Sequence, residues 1–407
     1  MSDEKEFVDI AHFVSLRKVG GVERCYAELI NTPLSAPVRH HTILPRPKIA
    51  RPLAAPISAG SSSIQSLKRW GRLPLPAHPR FLRAKNTRRI FQRIRPHAVL
   101  FWNTPTGILL YGMETIQAPA VYYEHGASWY KNDAAVMRKA LGRFRAIIAN
   151  SRAAKRVIEL RWGERYGGKT RVCLNAVRPG CVPSPGGPRE LPVGRPVRLG
   201  IAGRLEPVKG FPLIFHALAR LKRSGIFPEL HMAGTGSERH RLQSLAHELG
   251  VEKQVHFWGF QENINPFFSS IDIFLCPSLR EPFGLVCVEA MAHGIPVIAS
   301  RIDGLGEVVV HGRTGLLVDP LLPVSQYPRY GGVREGLPPF AYDPLTDTLS
   351  ELRFPDPEAL AAAVRCLVED PDTYKQMSEE AQKVCRENFR FQSYAEKLQN
   401  TLFTCMD

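Results

Sequence analysis

The sequence predicts an α/β protein of two doubly wound, Rossmann-like β/α/β domains. Three stretches predict it. Residues 7–14 form a short apolar strand candidate, followed by Gly20-Gly21 and a helical pattern through Ile30. The order restarts at residues 197–202, an apolar run that leads into Gly203-Arg204-Leu205-Glu206-Pro207-Val208-Lys209-Gly210 and an amphipathic helix over 212–223. It appears again at 271–300: an apolar run, a turn at Pro282-Phe283-Gly284, helical spacing over 285–293, Gly294 where a helix ends, and a second apolar run. Uninterrupted apolar runs are what a parallel sheet covered on both faces requires. At 407 residues the chain is long enough for two full cores.

The first domain is expected over residues 1–182. Glycines after its first strand let a ligand approach the backbone, while the full G-x-G-x-x-G dinucleotide fingerprint is missing. Residues 31–95 are rich in proline, serine and arginine and suggest a mobile loop, then a basic amphipathic helix from about Pro79 to Arg95. That helix has two open readings: on an anionic membrane surface, or as a domain helix with its apolar side inward. Further strands are expected at 99–102, 120–123, 145–151 and 172–177, the third ending in Asn150-Ser151, with Ser151 capping the helix that follows it. His125 lies just past a strand end, at the edge where such sheets bind ligands. Pro183-Ser184-Pro185-Gly186-Gly187-Pro188 opens a linker expected over 183–196. The second domain is expected over 197–388, with a proline-rich insert at 321–354 and a final helix near 391–403 inside a C-terminal segment 389–407.

Charge is unevenly placed. Residues 1–185 hold 31 Lys+Arg against 11 Asp+Glu, whereas the whole chain holds 54 against 38. Between Glu28 and Glu114 there are 14 basic residues and no acidic one. Such a half points to a polyanionic partner: nucleic acid, an anionic membrane face or a phosphorylated substrate. Aromatic residues do not interleave this charge as in single-strand binders, so nucleic acid is not expected. No apolar run is long enough to span a bilayer. The acidic start, Met1 to Glu6, lacks a signal peptide's apolar core, so a cytoplasmic location is expected. The eight cysteines are scattered singly, which suggests buried thiols and neither disulfides nor a zinc site.

The chemistry concentrates around Arg280–Ser300. The loop after a strand, followed by a helix N-terminus, suits a phosphate, and Glu281 and Glu289 can hold hydroxyls. A nucleotide-sugar has both. Arg204 and Lys209 flank another strand-end loop, and two cations there can neutralise a diphosphate. Gly234-Thr235-Gly236-Ser237 is a second phosphate-accessible turn. Asp370-Pro371-Asp372 is a nominal D-x-D that reads as a helix cap, not a metal site.

Glu281, seven residues and Glu289, inside EPFGLVCVEAMAHGIPVIAS, closely resemble the E-x7-E signature of retaining glycosyltransferases of family 4, the glycosyl transferases group 1. The resemblance implies a GT-B fold with a deep interdomain cleft, and a final helix that packs back on the first domain. It implies metal-independent, cofactor-free transfer from a UDP-, GDP- or ADP-sugar. Glu281, His125, Arg204 and Lys209 are the catalytic candidates. Gly20, Gly21, Gly203, Gly234, Gly236, Phe260, Phe283, Gly284, Leu285, Val286 and Glu289 are the donor-binding candidates, with the base near Gly259-Phe260-Gln261 and the ribose hydroxyls on Glu289. Insert 321–354 departs from the family pattern and reads as a cover for the acceptor cleft or as decoration. The basic first domain motivates a phosphorylated or lipid-linked envelope glycan as acceptor, with a peripheral position on the inner membrane face. A soluble-acceptor synthase or same-fold sugar-nucleotide epimerase, a basic nucleic-acid-binding protein and a non-catalytic scaffold are the rivals.

Overall fold

The computed structural model describes residues 7–71, 73–76, 80–113, 116–183 and 186–406. The acidic start at 1–6, Pro79 at the expected helix start, and Ser184-Pro185 of the expected linker lie outside the described residues. The chain divides into two compact units, one of Met1–Leu174 with Gln392–Asp407, the other of Asn175–Phe391.

The first unit is built on seven parallel strands: β1 (Val8–Phe13), β2 (Val38–Leu44), β3 (Ser63–Ser66), β4 (Ala98–Trp102), β5 (Ala120–Glu124), β6 (Ala146–Ala149) and β7 (Thr170–Val172), in the order 3-2-1-4-5-6-7. Phe13, Ile43, Phe101, Tyr122 and Ile147 bring the strands into one core. Ser151 caps the helix Arg152–Trp162, its Oγ accepting from the Ala154 N–H at 2.9 Å.

Two expectations change here, and one open reading is decided. Residues 31–95 are more ordered than their prolines suggest. They contain β2, β3 and the helix Arg51–Gly60, whose Pro52 sits in the first turn where no N–H is needed. Residues 45–50 connect β2 to that helix without regular structure. The basic helix Arg80–Ile94 is a domain helix. Ile90 and Phe91 join the core, Ile94 packs against it, and among its apolar residues Phe81 stands exposed. The last strand stops at Val172, because Val177 turns away to pair with the end of the second unit: its N–H donates to Phe389 O at 3.0 Å.

The second unit carries six parallel strands: β8 (Arg198–Ala202), β9 (Glu229–Ala233), β10 (Val255–Gly259), β11 (Ile273–Cys276), β12 (Val297–Ser300) and β13 (Gly315–Val318), in the order 10-9-8-11-12-13. β11 and β12 are buried at every position. The strand order reverses between β8 and β11, and loops at the carboxyl ends of strands flanking such a point form the ligand crevice of open α/β sheets.

Residues 183–196, expected as a linker, belong to this unit. The Arg189 N–H donates to Ser378 Oγ at 2.7 Å, and its guanidinium reaches Phe268 O and Ser269 O. The chain crosses between units at Leu174–Asn175. The helix Phe391–Phe403 contributes to the first unit, where Tyr394 meets Cys25 at 3.2 Å and Tyr123 at 3.4 Å. Asp370 caps the helix Pro371–Asn388 through Thr373.

Candidate functional site

In the second unit the expected donor residues gather along one sheet edge. The loops after β8, β9 and β10 are stitched together: Gly203 N–H donates to Ala233 O at 2.9 Å, Gly234 N–H to Gly259 O at 2.7 Å, and Leu205 N–H to Thr235 O at 3.0 Å. Gly234 has φ +133°, and a Cβ there would stand 1.8 Å from Gly203 O. No side chain fits, so glycine is what allows the two loops this close approach. A Cβ on Gly236 would likewise meet Leu205 O at 2.3 Å. Across the switch point, Leu279 N–H donates to Val208 O at 2.8 Å and ties the loop after β8 to the loop after β11.

That tie brings Lys209 to Glu281. Lys209 Nζ stands 2.5 Å from Glu281 Oε2. Burial alone would push the Lys209 ammonium down; the Glu281 carboxylate outweighs it and holds the group above the ordinary lysine value. Glu281 is fixed through its backbone as well, its N–H donating to Asp303 Oδ2 at 2.8 Å and its carbonyl accepting from Gly304 N–H at 3.2 Å. Beneath the pair, the thiols of Cys276 on β11 and Cys287 on the next helix hydrogen-bond; that bond lowers Cys276 and raises Cys287. Both are buried and free.

Gly284, at φ +93°, turns the chain into the helix Leu285–Ala292. Its first intrahelical bond runs from Cys287 N–H to Gly284 O, so the amides of Leu285 and Val286 precede the ladder at the positive end of the helix dipole. Phe283 is buried and packs edge-on against Phe389. Gly294 closes the helix at φ +68°.

The other two charged candidates have partners of their own. Arg204 is exposed and bonds Glu206 at 2.6 Å. Glu289 is buried within its helix, and Arg178 Nη2 reaches its Oε1 at 3.1 Å while also approaching Cys181 Sγ. Of the four charged side chains expected to converge, then, Lys209 and Glu281 touch. Arg204 sits on the same edge, and Glu289 is anchored from Arg178, 111 residues away. Phe260, at the end of β10, is exposed.

In the first unit, Gly20 precedes the helix Gly21–Leu29. A Cβ at Gly20 would stand 2.8 Å from Glu23 Oε2. His125 follows β5, stacks on Trp102 at 5.5 Å and 11°, and is buried, with no hydrogen-bond partner for Nε2 among the described residues. Its backbone N–H donates to Asn103 Oδ1. The buried Glu124 shapes the turn, accepting from the Tyr122 hydroxyl, the Gly126 N–H and the Ser128 hydroxyl. Neither Glu124 nor Arg178 carried a sequence signal beyond its residue type.

Burial pushes the His125 imidazole down to about 3 and His40 to about 4, and holds His12 well below the ordinary value. These rings are neutral when folded, and each takes a proton near pH 6.5 when unfolded. The unfolded chain therefore binds more protons below pH 6.5, and stability falls as pH drops from there toward about 4. Each buried ring contributes a slope of up to about 1.4 kcal/mol per pH unit. Urea unfolding at pH 7, 6 and 5, followed by tryptophan fluorescence, should show this decline, and a flat profile contradicts it.

The family described as Glycosyl transferases group 1 matches residues 190–324, and Glycosyltransferase Family 4 matches residues 19–179. The chain belongs to family 4 of the glycosyltransferases. Over 130 residues it is 38% identical to the lipopolysaccharide core biosynthesis glycosyltransferase LpsE of Rhizobium meliloti, covering 32% of this chain and 37% of that protein. It is 31% identical over 202 residues to a Mycobacterium tuberculosis glycogen synthase, covering 49% of this chain and 41% of that enzyme. These matches span about two-fifths or less of the relatives' length. The fold is GT-B: the Anabaena protein Alr3699/HepE, solved with UDP and glucose, superposes with a TM-score of 0.73 at 18% identity, covering 98% of this chain and 100% of that one. Sucrose-phosphate synthase from Thermosynechococcus elongatus gives 0.71 at 19% identity, covering 98% and 99%.

Proposed function

We propose that this family-4 protein is a retaining, metal-independent glycosyltransferase. It moves a sugar from a nucleoside diphosphate sugar to a phosphorylated or lipid-linked glycan of the cell envelope, of the lipopolysaccharide-core or polyprenol-linked type. The Lys209–Glu281 pair at the switch point, beside the start of the helix Leu285–Ala292, carries this reading. The named lipopolysaccharide-core relative and the UDP-bound structural neighbour support it.

In the resting protein the Lys209 ammonium is satisfied by Glu281. A bound diphosphate takes over that cation and releases the carboxylate to accept hydrogen bonds from the donor sugar. The acceptor hydroxyl attacks the anomeric carbon on the face the leaving group vacates. The bond from that carbon to the diphosphate oxygen breaks, the bond to the acceptor oxygen forms, and the hydroxyl proton passes to the departing phosphate. Negative charge builds on the diphosphate, where Lys209, Arg204 and the amides of Leu285 and Val286 stabilise it. Glu289, oriented by Arg178, holds the ribose hydroxyls, and the nucleotide base lies by Phe260. Because two cations serve the leaving group, excess EDTA should leave the initial rate unchanged; a loss restored by Mg²⁺ or Mn²⁺ contradicts the metal-independent part.

The acceptor reading rests on charge. Residues 1–185 hold 31 Lys+Arg against 11 Asp+Glu. Among the described residues no helix is long and apolar enough to cross a membrane, so contact with a bilayer on the cytoplasmic side would be peripheral. Binding to anionic vesicles at low salt, weakened by added salt, is the expected result; equal indifference to anionic and neutral vesicles removes the membrane from the proposal. A panel of nucleotide-sugars with isolated envelope glycans, read by proton NMR of the product anomer, tests the reaction. Retention supports it, and inversion or epimerised donor overturns it.

A further inference from the structure

We propose that residues 321–354 are a positioning brace that holds the two loops of the Lys209–Glu281 pair in register. The inference rests on the donor-site reading above. The segment leaves after β13 and returns on itself, Leu322 pairing with Phe354 and Pro323 with Arg353 in an antiparallel ladder. Between these ends it reaches the sheet edge at two separate places.

The first is Tyr327. Its ring is fully buried against Phe354, and its hydroxyl donates to Pro207 O at 2.8 Å. Pro207 opens the single turn Pro207–Lys209, so this bond fixes the backbone that aims Lys209. The second is the hairpin Ala341–Asp343 with Thr348–Ser350. Tyr342 exchanges two bonds with Asp303: its N–H donates to Asp303 Oδ1 at 2.7 Å, and its carbonyl accepts from Asp303 N–H at 2.9 Å. The other carboxylate oxygen of Asp303 accepts from Glu281 N–H at 2.8 Å.

Asp303 is thus a buried two-sided clamp, with the insert on one oxygen and the Glu281 loop on the other. It sits at φ +47°, a backbone region that non-glycine residues seldom occupy. Such a conformation persists only where its surroundings over-determine it, and the insert supplies part of that determination. One end of the insert therefore positions the cation and the other the carboxylate. A loop that merely decorated the surface would need neither contact.

The test uses the full chain. Tyr327→Phe removes one hydroxyl and keeps the ring. Asp303→Asn keeps the size and tolerates positive φ, but turns an acceptor into a donor facing an N–H. A third variant joins Pro323 to Arg353 through two glycines in place of 324–352, which the antiparallel pairing of those ends permits. Asp303→Asn should lower kcat by about 10- to 100-fold, as expected for a small misplacement of a reacting group, with nucleoside diphosphate affinity nearly kept. Tyr327→Phe should lower kcat by a smaller factor, through Lys209. A purely structural role would move both parameters together with Tm. Hydrogen exchange at the Glu281 amide gives a readout independent of turnover, and it should quicken at least about tenfold in Asp303→Asn and in the shortened chain. Wild-type kinetics and unchanged exchange at Glu281 in the two point variants overturn the brace. A wild-type chain that turns over no nucleotide-sugar defeats the donor-site reading instead, and the exchange measurement then decides the brace alone.

Discussion

Lys209→Ala should lower kcat/KM by about a hundred- to a thousandfold, the usual consequence of losing one preorganised group at a developing oxyanion. The loss should fall chiefly on kcat, because charge on the diphosphate grows toward the transition state. Stability should also drop, by about 2 kcal/mol, since Glu281 is left without the cation 2.5 Å from its oxygen. That is less than the ~3–5 kcal/mol of a fully dry pair, because both side chains keep some solvent contact. Lys209→Arg should recover stability better than rate, as guanidinium is a longer, planar donor. Steady-state kinetics with the best donor, beside urea unfolding, separates the two effects. Unaltered turnover in Lys209→Ala would remove Lys209 from the leaving-group site.

Gly234→Ala should do comparable damage by a different route. The added Cβ would stand 1.8 Å from Gly203 O, on a backbone at φ +133° that alanine rarely adopts. The loops after β8 and β9 must part, carrying Arg204 with them. The expected cost is about 3 kcal/mol or more in stability and at least about a hundredfold in activity. Gly225→Ala is the control: its φ is also positive, at +80°, but a Cβ there meets nothing within 4 Å. It should cost about 1 kcal/mol from backbone strain and leave the rate unchanged. Equal behaviour of the two variants would show that close loop packing does not shape the site.

What the sequence made legible was local. The Glu281–Glu289 stretch declares its loop, helix start and closing glycine within twenty residues, and the structure places them as read. The apolar runs of β11 and β12 were equally plain, because a strand buried on both faces needs no partner to be recognised. What remained hidden depended on residues far apart in the chain. Arg178 gives no local sign that it will meet Glu289, nor Asp303 that its two oxygens will serve Glu281 and Tyr342. Cys276 and Cys287 look isolated until the sheet brings them together. The helix Arg51–Gly60 was obscured by its prolines, which usually signal irregular chain but here include one in the tolerant first turn. Residues 183–196 have the composition of a spacer, and what composition does not show is that Arg189 bonds to Ser378 and Phe268.

The central claim is that one edge of the second unit grips a sugar esterified to a nucleoside diphosphate. Calorimetric titration of UDP-, GDP- and ADP-sugars into the wild-type chain and into an Arg204→Ala, Lys209→Ala double variant tests it most directly. One nucleotide class should bind the wild type with a micromolar Kd, and the double variant should bind it at least about a hundredfold more weakly, roughly 2.7 kcal/mol. Failure of every donor to bind the wild type, or equal affinity in the double variant, contradicts the claim.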